Sequence, residues 1–114
     1  MDKELKDPAK LREWLMRTYY LQREIQAFGV LSGECSDDIP YANKRSLFID
    51  AARCRIEIYE FLKSCTLRPR ELEVIRLHCI LCKSWGEIAR QTKKDRRNLI
   101  RTFDKAIQHL AEQI

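Results

Sequence analysis

Along most of this chain apolar residues recur at alternating steps of three and four, the spacing that gathers side chains on one face of an α-helix. The first stripe is Leu11, Trp14, Thr18, Leu21, Ile25 and Phe28, flanked by Leu15 and Tyr19. Asp7 as a cap and Pro8 at the first turn start this helix, which runs to about Phe28; Gly29 ends it. Residues 1 to 8 are polar and expected to fray. The stretch from Leu31 to Pro40 (LSGECSDDIP) has the Ser, Gly, Asp and Pro content of a loop. A second helix begins between Tyr41 and Ser46 and reaches Ser64 or Cys65, with the stripe Leu47, Ala51, Cys54, Ile58, Phe61 and Cys65, and Phe48 and Leu62 beside it. Neither helix can bury its stripe alone, so the two are expected to form an antiparallel hairpin.

Three shorter helices follow. Pro69, with Glu71 in the first turn to meet the helix dipole, starts a third helix that runs to about Leu81. Leu72, Ile75 and Cys79 face inward there, Val74 and Leu77 lie at the edges, and Arg70, Glu73 and Arg76 are solvated. Ser84 and Glu87 have the spacing of a capping box, with the Ser84 hydroxyl accepting from the Glu87 amide and the Glu87 carboxylate returning to the Ser84 amide. A fourth helix thus spans Trp85 to Gln91 and buries Ile88 and Ala89. Thr92, Lys93 and Lys94 form a turn, and Asp95 caps a fifth helix from Arg96 to about Ala111. Its inward side is Leu99, Phe103, Ala106, Ile107 and Leu110; Arg96, Arg97, Ile100, Arg101, Asp104 and Lys105 lie on the other. The pattern predicts an all-α protein, with a helical hairpin over residues 1–65 and a three-helix unit containing a helix-turn-helix over 66–114.

Charge sharpens this division. The formal net charge is +5 over 114 residues. Through Cys65 eleven basic residues balance eleven acidic ones, whereas from Thr66 onward eleven bases face six acids. The net positive charge therefore belongs to the helix-turn-helix half, for which a polyanion is the natural partner. Arg90, Lys93, Lys94, Arg96, Arg97 and Arg101 cluster with Asp95 as their only acid, and that aspartate is accounted for as a cap.

Other chemistry is sparse. The five cysteines are odd in number and follow no apolar secretory segment, which points to free thiols in a reducing cytoplasm. No apolar run approaches the roughly 20 residues needed to span a bilayer, so no membrane is expected as a partner. Cys79-x-x-Cys82, beside His78, supplies half of a four-ligand zinc site. With Cys79 on the buried stripe, the pair reads as packing. Asp37 and Asp38 have nothing nearby to complete a metal set, and His78 and His109 read as surface residues. There is no nucleophile, base and acid at a recognisable spacing and no glycine-rich phosphate loop, so neither an enzyme nor a cofactor is expected.

The motifs Leu67-x-x-Arg70-Glu71, Ser84-x-x-Glu87-Ile88-Ala89 and Asp95-x-x-Asn98-Leu99-x-x-x-Phe103-x-x-Ala106-Ile107 resemble region 4 of bacterial sigma factors. With a hairpin in front and Trp85-x-Glu87-Ile88-Ala89, the chain looks like small phage-encoded regulators of the autolysin-regulator type of late transcription activator. The resemblance implies a phage or prophage transcription regulator that binds promoter DNA, its last helix in the major groove. Carried over by position, Arg96, Arg97, Ile100 and Arg101 read bases, while Arg90, Lys93, Lys94 and Lys105 contact phosphates. A lone helix-turn-helix makes few contacts, so RNA polymerase or a homodimer is expected as a second anchor, with the hairpin as the contact. The alternatives are an interaction module that binds RNA polymerase or a sigma partner without reading DNA, and a small terminase-like packaging subunit. Three positions depart from the family pattern: Ile100 stands where a charged residue is usual, Cys82 where a glycine ends a helix, and Gly86 inside a helix.

Overall fold

A computed structural model describes residues 3–34 and 41–114; for residues 3, 28–34 and 41–45 it describes the helical backbone alone. The described residues are all helical, with no strand. A 3-10 turn over Lys3–Lys6 precedes α1 (Pro8–Leu15), α2 (Arg17–Glu34), α3 (Tyr41–Lys63), α4 (Pro69–Ile75), a π-helical turn (Arg76–Ile80), α5 (Trp85–Thr92) and α6 (Arg96–Glu112). No helix among the described residues is long and apolar enough to cross a membrane.

The single helix expected over Pro8 to Phe28 is two. The chain turns at Met16, whose amide bonds back to Arg12 O at 3.0 Å. Packing explains the break: α1 lies on α6, whereas α2 lies on α3, and a straight helix cannot follow both. Leu11 and Leu15 serve the first contact and are fully buried. Helix α2 does not stop at Gly29 but continues to Glu34, so the expected loop is helical over its first residues. Asp37 and Asp38 lie outside the described residues. The N-terminal segment is also more ordered than its polarity implies, because Leu5 on the 3-10 turn packs against the core.

One apolar core joins Leu11 and Leu15 of α1, Ile58, Phe61 and Leu62 of α3, Val74 and Ile75 of α4, Ile88 of α5, and Leu99, Phe103, Ile107 and Leu110 of α6. It continues across residue 65. On α3 the inward stripe is the expected one through Ala51, Cys54, Ile58 and Phe61, but Leu47 and Cys65 are half-buried and Phe48 is exposed.

Helix α4 ends differently from the regular helix expected to Leu81. Its last turn widens to a π turn closed by Leu81 N donating to Arg76 O, after which Lys83 N donates to Leu77 O, both at 2.9 Å. Cys82 between them has φ 58°, the left-handed backbone that a glycine takes most easily at a helix end. Cysteine is thus held in a backbone conformation that glycine adopts without strain. Leu77, in the π turn, is buried with Ile75 and Cys79; Val74, ahead of the turn and likewise expected at an edge, is buried as well, whereas Leu72, expected inward, is half-buried.

Candidate nucleic-acid interface

The corner after the π turn sets where α5 starts. Arg55 on α3 donates through Nε to Ile80 O at 3.0 Å, and His78 donates through Nδ1 to Lys83 O at 2.8 Å. The first satisfies a carbonyl that the helix end leaves without an intrahelical partner, and the second a carbonyl of the loop just before the Ser84 cap. His78, read from sequence as a surface residue, is 3% exposed. Its ring stacks on Trp85 at 4.1 Å between centroids and meets Tyr19 and Phe103 at 4.7 and 5.5 Å. Burial lowers its pKa below the ordinary histidine value, more than the Lys83 carbonyl raises it, and the nearby Arg23 charge lowers it further. The imidazole is a neutral structural element that ties α2 to α5 and α6.

Both expected caps form. Ser84 Oγ accepts from Glu87 N at 3.2 Å, and Asp95 Oδ1 accepts from Arg97 N at 3.3 Å. The capping box differs in one bond: the Glu87 carboxylate accepts from the Ser84 hydroxyl at 3.1 Å rather than from the Ser84 amide. Between α5 and α6, Lys93 takes a left-handed conformation with φ 56°, and Thr92 Oγ1 donates to Ile88 O at 2.7 Å. The turn at Thr92 to Lys94 is therefore a tight reversal that fixes the start of α6 against α5.

Leu99, Phe103, Ala106, Ile107 and Leu110 are all buried, which holds the opposite face of α6 outward. Arg96, Arg97, Arg101 and Lys105 on α6, Lys93 and Lys94 in the turn and Arg90 on α5 are exposed, and none of them forms an ion pair with a described carboxylate. The nearby acids are otherwise engaged. Asp95 caps α6, Glu87 bonds Ser84, and Asp104 is paired with Arg12 of α1. The result is a surface of uncompensated positive charge.

This surface has two parts. Lys93, Lys94, Arg101 and Lys105 line a concavity together with Arg70 at the start of α4, the polar Asn98 and Thr102, and Asp95 as its one acid. Arg70 carries no local signal in the sequence, because a solvated arginine 20 residues ahead of the cluster's first member, Arg90, shows no link to it. Arg96 lies apart. Its Nη2 sits 3.1 Å from where a β-carbon on Gly86 would be, so the glycine inside α5 leaves room for the Arg96 guanidinium. Ile100, half-buried on α6, borders the charged ridge without belonging to it. Arg90 on α5 is exposed outside the concavity.

The paired cysteines face different ways chemically. Cys79 is fully buried, and burial with the adjacent Cys82 thiol pushes its pKa far up, while Cys82 Sγ lies 4.0 Å from Arg55 Nη2. Among the described residues no three His, Cys, Asp or Glu side chains are grouped to hold a metal. Comparison with family models, with curated proteins and with solved structures finds no match for this chain.

Proposed function

We propose that this protein is a sequence-directed DNA-binding transcription regulator, in which α2 and α3 form a helical hairpin and α4 to α6 a sigma region 4-like unit. The observation that carries the reading is the row of cations on α6 and its preceding turn, exposed over a buried apolar face and lacking carboxylate partners. Helix α6 enters the major groove with Arg97 and Arg101 toward base edges, and Ile100 offers an apolar contact suited to a thymine methyl. Lys93, Lys94, Lys105 and Arg70 follow one phosphate backbone along the concavity, and Arg90 reaches the other side of the groove. Arg96, held over Gly86, lies at the junction of α5 and α6 and contacts the base or sugar that passes there.

Two classes of substitution separate the roles. Arg97→Ala lowers affinity for a selected site by about 1 to 3 kcal/mol and relaxes discrimination at one base pair. Lys94→Ala weakens selected and random DNA equally and flattens the salt dependence of binding by about one ion. Titrations of both variants on both DNAs over a salt series test this. Binding that ignores salt, or an Arg97→Ala loss that is equal on selected and random DNA, overturns base reading by α6.

A further inference from the structure

We infer that the outward face of α3 is the surface through which two copies of this chain pair. Helix α3 is apolar on two sides. Ala51, Cys54, Ile58, Phe61 and Leu62 are buried inside the subunit, while on the far side Phe48, Ile49, Ile56 and Tyr59 are 57%, 48%, 62% and 47% exposed. The outward residues Ile49, Ala52, Ile56 and Tyr59 are spaced by three, four and three, the seam of a helix that packs along another helix. Among the described residues the internal core does not use this seam.

Area and charge identify the occupant. Leu81, 57% exposed just after the π turn that Arg55 anchors to α3, is a further exposed apolar side chain on a segment joined to this helix. Five half-exposed large side chains offer about 500 Å² of apolar surface, near the upper end for a lone monomer. Two such faces with their flanking polar groups reach the roughly 1,200 Å² at which specific association begins. The exposed flanks carry Asp50, Arg53, Glu57, Glu60 and Lys63 in mixed sign, which draws neither a polyanion nor a strongly basic partner. Through Cys65 the chain has equal numbers of acids and bases, so two copies meet there without repulsion while their basic halves stay apart.

The seam also specifies a register. When two α3 helices run antiparallel about a two-fold axis, Ile56 of each packs on Ala52 of the other and Ile49 packs on Tyr59. Every layer then sets a larger side chain against a smaller or flatter one. A parallel pair would oppose Ala52 to Ala52 and leave a gap, contrary to the close packing of helix interfaces. The pairing is independent of DNA and is measured without it.

Light scattering during size-exclusion chromatography of the full chain, loaded from about 5 to about 500 µM, tests the proposal. Wild type and Ile56→Leu shift toward dimer mass with concentration. Ile56→Glu, at a position exposed enough to leave the fold intact by circular dichroism, raises the dissociation constant at least about 100-fold and stays monomeric. A wild-type chain that is monomeric throughout, or Ile56→Glu dimerising as wild type does, overturns the proposal.

Discussion

Removing His109 tests how α6 is held in place. Glu71, at the start of α4, is 5% exposed; its Oε2 accepts from His109 Nδ1 on α6 at 2.7 Å, and its Oε1 has no protein partner. In His109→Ala neither carboxylate oxygen keeps its bond. Breaking a fully buried ionic pair costs about 3 to 5 kcal/mol, and losing one hydrogen bond to a charged group about 1.5 to 3 kcal/mol. The His109 side chain is 42% exposed, so water enters the space it leaves and partly solvates Glu71, which brings the expected loss to about 2 kcal/mol. Urea unfolding then moves its midpoint down by about 1 M at unchanged slope. In Glu71→Leu the carboxylate is gone, and adding His109→Ala costs little, so the two changes couple by about 1.5 kcal/mol. A His109→Ala loss under about 0.5 kcal/mol, or the same loss with Leu at 71, refutes the argument.

Two further substitutions probe the corner before α5. Cys82→Gly is more stable than Cys82→Ala by about 1 kcal/mol in thermal or urea unfolding, since both lose the thiol but only glycine takes φ 58° without strain; equal stabilities would count against the strain. The buried His78 makes stability depend on acid: its folded pKa is depressed, so its contribution is complete above the unfolded value of about 6.5 and falls as pH drops toward the folded pKa, by at most about 1.4 kcal/mol per pH unit. Unfolding of wild type and His78→Phe from pH 7.5 to 5 isolates this contribution, and parallel curves would show that His78 takes no part in it.

The helix starts after residue 60 are legible in the sequence because local chemistry sets them. Pro69, Ser84 and Asp95 each carry their own start signal, and α4, α5 and α6 begin one residue after the cap. The stripe of α6 was legible for the same reason, since five buried positions at helical spacing define one face whatever packs on it. Features that depend on two distant segments were not. Nothing near Met16 marks a break; it exists because α1 and α2 meet different helices. Likewise His78 lies one position off a regular stripe through Ile75 and Cys79, and only the extra residue of the π turn brings it into the core. Sequence spacing assumes a constant 3.6 residues per turn, so a local change of pitch shifts every inference downstream within that helix.

The same distinction runs through the charged surface. Exposure of Arg97, Arg101 and Lys105 follows from the α6 stripe alone, so these cations were found by counting. Their lack of carboxylate partners was not, because it requires Arg12, about 90 residues earlier, to engage Asp104. If Asp104 were unpaired, its carboxylate would offset part of the positive charge of this face. The turn at Met16 brings α1 onto α6 and with it Arg12 onto Asp104. The break in the N-terminal helix and the engagement of Asp104 on α6 thus have one cause, the docking of α1.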